Sequence, residues 1–146
     1  MEYTASAYYK HGHDENPVKV STVDELRALI DAVLSEPIEN SVVALYINER
    51  PLAHYGAPDH ELRLAVDASR KLGSIRYTTI DQTLYAVGIA AGKTPVRYQY
   101  MGHAEEFPAD SAVELDVLLA VAADFLAGGA NRTPEGVEWN DWPDDL

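Results

Sequence analysis

Cysteine is absent from this chain of 146 residues. Its absence excludes a disulfide framework, a thiolate nucleophile and a zinc site built on thiolates. Long apolar runs are also missing, since no stretch approaches the roughly 18 residues that a membrane-spanning helix needs. The first residues contain neither the basic region nor the long apolar region of a secretory signal. We therefore expect a cytoplasmic protein that does not bind membranes.

Basic residues are few: 11 Lys and Arg side chains accompany 24 Asp and Glu side chains, which gives a formal net charge of −13. This balance argues against direct nucleic-acid binding, because phosphate contacts need clustered basic side chains. The imbalance is concentrated in residues 98–146, which hold eleven acids and one base, Arg132. Like charges repel in a compact state, so a dense acidic face favours a role in meeting a basic partner. A solvated surface that promotes solubility is the alternative interpretation.

The length is that of one domain, and we predict a single domain over residues 1–146. Thr22 and Glu25 form a capping box at the start of a helix, whose apolar stripe includes Leu26, Ile30 and Val33. The apolar run 42–47 is typical of a central strand that is buried on both faces. Residues 5–10 can form a first strand. Alternating patterns predict further strands at 62–66, 75–79, 84–88 and 96–101, and their regular spacing implies an antiparallel meander.

A helical period returns after residue 108. Ser111 and Glu114 form a second capping box in the sequence, and Gly128-Gly129 ends this predicted helix. Residues 137–139 can form a last strand, which is followed by an acidic tail at 140–146. The predicted class is α+β, with an antiparallel curved sheet of about six strands and two helices packed on one face.

Catalytic signals are weak. His11 and His13 have the residue type and spacing of metal ligands, but a polar turn explains them better because nothing later completes the coordination shell. Glu105 and Glu106 are adjacent in an extended segment, so they point to opposite faces and are poorly placed for joint acid–base catalysis. There is no Gly-x-Ser-x-Gly elbow and no phosphate-binding loop. We therefore expect a protein that is not an enzyme and needs neither a cofactor nor a metal.

The C-terminal half contains short motifs in a distinctive order. Phe107-Pro108 precedes the second helix, Phe125-Leu126 and a glycine pair end it, and Val137-Glu138-Trp139 follows. This order resembles a family of bacterial immunity proteins that neutralise polymorphic toxins, and the segment Thr22-Val23-Asp24-Glu25-Leu26 is similar to the helix start of that family. The family includes immunity proteins of nucleic-acid deaminase toxins. The resemblance implies an antitoxin that inhibits a cognate toxin, either a nucleic-acid deaminase or a nuclease.

Such toxins need basic clefts to hold phosphates, and an acidic inhibitor can enter such a cleft and occlude the active site. We therefore predict that acidic side chains of the last third bind a basic toxin domain, with aromatic side chains as anchors. The candidate binding residues are Tyr55, Asp59, Glu105, Glu106, Glu135, Glu138, Asp141 and Trp142.

Two alternatives remain open. A small-molecule-binding module would use a concave sheet face lined by Tyr77, Tyr85, Tyr98 and Tyr100, although tyrosines on a sheet more often form cross-strand pairs. A metal-dependent hydrolase would use His11 and His13.

Overall fold

The computed structural model describes residues 2–90 and 92–146. Two α-helices occur in these ranges, α1 at Val23–Leu34 and α2 at Leu115–Gly128, and a short 3₁₀ turn spans Ile38–Asn40. The strands of the same ranges are β1 (Ala5–Tyr8), β2 (Val18–Val20), β3 (Val42–Ile47), β4 (His60–Asp67), β5 (Leu72–Thr79), β6 (Thr83–Val87), β7 (Val96–Tyr100), β8 (His103–Phe107), β9 (Val113–Glu114) and β10 (Glu138–Asp141).

One antiparallel sheet dominates the fold, with the strand order β10-β6-β5-β4-β3-β1-β2 and with β9 paired to the start of β5. Its longest pairing joins β4 to β5, from His60 opposite Thr79 to Asp67 opposite Leu72. The α+β class with both helices on one face is confirmed, because buried side chains of α1 and α2 share one core with the same sheet face. The strand predicted at 42–47 is also confirmed, and its residues Val42 to Leu45 are fully buried.

Helix α1 begins where its capping residues predict. The Thr22 hydroxyl accepts a hydrogen bond from the Glu25 N–H at 3.1 Å, and the Glu25 carboxylate accepts one from the Ser21 N–H at 3.0 Å. These bonds satisfy backbone donors that lack a partner inside the helix. Leu26 and Val33 then face the core, each 1% exposed.

The predicted start of the second helix is wrong. Ser111 does not cap it, because this side chain is fully buried and its hydroxyl hydrogen-bonds the Ser74 hydroxyl at 2.9 Å. The chain instead forms the short strand β9, and α2 begins at Leu115 after Glu114, whose side chain makes no capping bond. The predicted end is confirmed, since Gly129 adopts the left-handed conformation with φ of 61°.

The predicted meander is wrong at residues 96–101. Strand β7 pairs with β8 in a separate hairpin, and this β7–β8 hairpin covers part of the sheet face opposite the helices. Tyr98 and Phe107 pack there against Val42 and Ala65, and all four are buried. The hairpin also shields strand β4, whose Arg63 side chain is only 15% exposed although its alternating pattern is typical of a strand with one solvated face.

The last predicted strand is present as β10, which pairs with β6 from Glu138 opposite Val87 to Asp141 opposite Leu84. Asn140 and Asp141, assigned from the sequence to the tail, therefore belong to an edge strand. Backbone pairing along this edge continues to Trp142, whose N–H donates to the Thr83 carbonyl at 2.9 Å.

Candidate functional site

A network of charged side chains lies on the sheet face opposite the helices, which we call the second face. Glu61 accepts a hydrogen bond from Arg63 Nε at 2.7 Å and from the Tyr46 hydroxyl, and it lies 3.5 Å from Arg76 Nη2. Arg63 also pairs with Glu105 of the β7–β8 hairpin. Burial opposes ionisation of Glu61, but Arg63 and the Tyr46 hydrogen bond together hold its pKa below the ordinary value. Two arginines and two glutamates thus balance one another beneath the hairpin.

Aromatic rings cover this network. The Arg63 guanidinium lies 4.4 Å from the Tyr100 ring centroid, and the Arg76 guanidinium lies 5.1 Å from the Trp142 ring centroid. Trp142 also meets Phe107 edge to face, with centroids 5.3 Å apart. Trp142 is therefore a partly exposed residue that folds back onto the second face.

The part of the second face that the hairpin leaves open contains a cleft of about 430 Å³. Tyr8, Tyr46 and Tyr100 line it, and Asp14 lies at its rim. The loop between β3 and β4 borders the cleft with Leu52, which is 63% exposed.

Asp59 is held in an internal network at the start of β4. Arg50 donates to both its carboxylate oxygens, at 3.0 and 2.7 Å, and these bonds hold the pKa of Asp59 well below its usual range. His60 Nε2 accepts from the Ile47 N–H at 2.8 Å. His60 Nδ1 therefore carries the proton, and this N–H donates a hydrogen bond to Asp59 Oδ1 at 2.9 Å. The Asp59 carboxylate is therefore largely neutralised by its partners within the protein.

The acidic edge, which we define as Glu135, Glu138 and Asp141, is exposed. Arg132 is the one base of residues 98–146, and it forms a two-pronged ion pair with Asp124 at 2.6 and 3.0 Å. Arg132 therefore neutralises Asp124, and none of the three carboxylates of the acidic edge forms an ion pair within the part of the chain that the structure describes.

The predicted binding residues occupy three separate places. The acidic edge lies along β10 and the turn before it, whereas Tyr55 and Asp59 lie at the β3–β4 loop. Glu105 and Trp142 lie over the second face. Glu106 points outward to Arg97 at 3.1 Å while Glu105 points inward, which confirms that these neighbours face opposite ways.

Sequence reasoning missed Arg50, Arg63 and His60 as organising residues. His60 stands alone in the sequence, with no motif around it, yet its side chain is 5% exposed. Its position two residues before Leu62, on the inward-facing parity of β4, was the available signal.

The four tyrosines proposed to line one ligand-binding face do not share a face. Arg76 lies opposite Tyr85 in the β5–β6 register, so Tyr77 points to the helix side and Tyr85 to the second face. Tyr77 packs edge to face on Phe125 at 6.2 Å. The Tyr98 hydroxyl hydrogen-bonds Ser74 at 2.8 Å in the buried interior.

His13 closes a turn in the segment that resembled a metal site. Its Nδ1 accepts from the Tyr9 N–H at 3.1 Å, and its side chain is mostly buried, whereas His11 is exposed. Within residues 2–90 and 92–146, no three His, Cys, Asp or Glu side chains are grouped to hold a metal ion.

Comparison with known families adds a decisive observation: the model of the family described as Immunity protein Imm1 matches residues 14–141. The chain belongs to this family. It is therefore an immunity protein, a class that acts on a toxin partner and is generally not enzymatic. No curated protein matches the sequence. Neither helix of the described ranges is long and apolar enough to cross a membrane.

Proposed function

We propose that this Imm1 immunity protein binds a cognate polymorphic toxin that acts on nucleic acid, a deaminase or a nuclease, and occludes its active site in the cytoplasm. The observation that carries the proposal is the uncompensated acidic edge. Its three carboxylates are exposed, and none of them forms an ion pair with a basic side chain of residues 2–90 and 92–146. A toxin that holds phosphates presents the complementary charge.

Charge of this kind acts first on the rate of encounter. Complementary fields raise association rates to about 10⁸–10⁹ M⁻¹s⁻¹ at low salt, and the gain falls as ionic strength rises. An inhibitor that must bind its toxin before the toxin reaches nucleic acid benefits directly from fast association.

The predicted acidic binding residues form two groups, those with exposed carboxylates and those whose carboxylates pair with an arginine inside the protein. Glu135, Glu138 and Asp141 are exposed and form no ion pair within the described residues, and we propose that they make direct contacts with the toxin. Glu106 is also exposed, and we propose that it contacts the toxin by exchanging its surface pair with Arg97. Asp59 and Glu105 are engaged by Arg50 and Arg63, so we propose that they contribute by fixing the surface around Tyr55 and Trp142.

Co-expression with the protein encoded next to this gene tests the proposal, because immunity genes normally lie beside those of their toxins. We expect the neighbour to be lethal alone, harmless in the presence of this chain, and recovered with it as an equimolar complex. A harmless neighbour, or a lethal one that this chain neither binds nor neutralises, would contradict the proposed pairing. Nucleic-acid damage in cells that express the toxin alone, measured by sequencing and by gel, tests the target class.

A further inference from the structure

Three tyrosines line the open cleft on the second face. Tyr8 and Tyr46 meet edge to face with their ring centroids 5.7 Å apart, and Tyr100 lines the same cleft. Each of the three tyrosines is partly exposed, so part of each side chain faces solvent. The cleft measures about 430 Å³, which is room for one long side chain and some water.

The charges around the cleft leave one carboxylate uncompensated. Arg50, which also lines it, is neutralised by Asp59. The nearby Arg63 is neutralised by Glu61 and Glu105. Asp14 lies at the rim, and no basic side chain of residues 2–90 and 92–146 forms an ion pair with it. The cleft is therefore negative, and its complement is a cation.

We infer that this cleft receives one arginine side chain of the toxin partner, stacked on Tyr8 and Tyr46 and paired with Asp14. A guanidinium is planar and weakly hydrated, so it stacks on aromatic rings and pairs side-on with a carboxylate. The protein uses the same pairing internally, where Arg63 stacks on Tyr100 and bonds Glu61. An ammonium group is more strongly hydrated and lacks the flat surface, so lysine fits less well.

The inference rests on the proposed function, because the arginine is assumed to belong to the toxin. It proposes a second contact site, which is separate from the acidic edge. The first test measures the Kd of the toxin complex for Asp14→Asn and for the matched control Glu15→Gln. Both side chains are exposed, and each substitution removes one charge at nearly the same place, but Glu15 does not line the cleft. We expect about five- to tenfold weaker binding for Asp14→Asn and less than twofold for Glu15→Gln. Equal effects of the two substitutions would overturn the pocket and leave the immunity role intact.

The second test needs no toxin. N-acetyl-arginine amide is titrated into the isolated protein while NMR follows the tyrosine ring signals. We expect selective shifts at Tyr8 and Tyr46, with Tyr55 as an exposed reference ring, and much smaller shifts with N-acetyl-lysine amide or with Asp14→Asn. Shifts that are no larger at Tyr8 and Tyr46 than at Tyr55, or that are equal for the two amides, would overturn the inference. If the neighbouring protein forms no complex, the proposed pairing fails and this titration still decides the pocket.

Discussion

His60 is buried, has a fixed tautomer and contacts a charged neighbour. Its Nε2 accepts the Ile47 N–H and its Nδ1 donates to Asp59, so a second proton would break the bond to Ile47. Burial lowers the pKa of His60, and this effect outweighs the attraction of Asp59. The groups that face the ring also include Arg50, which lowers the pKa, and Glu61, which raises it.

This environment predicts a loss of stability in mild acid. Above the ordinary histidine pKa of about 6.5, His60 is neutral in both the folded and unfolded states, so its contribution to stability is complete. Below that pH the unfolded chain takes up a proton that the folded protein resists, and the free energy of unfolding falls. Urea denaturation between pH 7.5 and 5 should show this fall, and His60→Gln should reduce the slope. His13 has a lowered pKa too, so His13→Gln serves as the parallel variant that separates the two contributions. A slope unchanged in His60→Gln would refute the assignment.

The sequence predicted which acidic side chains lie near the surface better than it predicted which partners they bind. Asp59 and Glu105 are acidic side chains near the surface, as expected. Each forms an ion pair with an arginine that is not its neighbour in the sequence. Arg50 is nine residues from Asp59, and Arg63 is 42 residues from Glu105. No local sequence pattern predicts such ion pairs. The Thr22–Glu25 cap was predictable, because its hydrogen bond joins residues only three positions apart.

Among the elements, the connection between β6 and the β7–β8 hairpin depends on a close backbone approach at Gly88. Its N–H donates to the Asp110 carbonyl at 2.7 Å, and an added Cβ would lie 1.9 Å from the Ala112 carbonyl oxygen. Gly88→Ala should therefore lower the free energy of unfolding by about 1–3 kcal/mol, because backbone must move to admit the methyl group. Gly92 lies in the same connection with nothing within 4 Å of its added Cβ, so Gly92→Ala should change stability by about 0.5 kcal/mol or less. Urea denaturation of both variants provides the measurement, and similar values for the two would contradict the packing argument.

The elements were predictable where their signal is local. Helix α1, strand β3 and the glycine end of α2 follow from caps and apolar periods that lie within a few residues. The β7–β8 hairpin was not, because short strands such as Val96–Tyr100 carry no record of which strand they will pair with. Ser111 likewise matched a capping box but found the buried hydroxyl of Ser74, 37 residues away.

At the scale of the whole protein, the charge of the acidic edge should control the rate of association with the toxin. Replacing both Glu138 and Asp141, as Glu138→Gln with Asp141→Asn, should slow association with the toxin several-fold at low salt and weaken its dependence on salt, with little change in dissociation. The matched control is Asp31→Asn with Glu39→Gln, which removes two exposed charges that do not belong to the acidic edge. Stopped-flow association at two salt concentrations distinguishes the pairs. Equal slowing by both pairs would mean that net charge alone matters and that the acidic edge has no special role.

The clustering of acidic side chains was predictable from the sequence, but its layout was not. Net charge and its position along the chain indicated an acidic surface, since such totals need no knowledge of the fold, and its binding role stays a prediction. The open cleft could not be found this way, because it joins Tyr8, Asp14, Tyr46 and Tyr100 from four separate segments.

The position of β10 at the edge of the sheet has a consequence for synthesis. The ribosome makes the N-terminal segments first, so β6 emerges well before the strand that pairs with it. Until Glu138–Asp141 leaves the ribosome, β6 has an unpaired backbone edge, and Trp142 has not yet covered Arg76. A stalled or truncated product that ends before Glu138 would therefore lack most of the acidic edge and expose an edge strand prone to aggregation. If the acidic edge binds the toxin as proposed, only chains translated past Trp142 protect the cell, so the amount of full-length protein and not the amount of mRNA sets the level of protection.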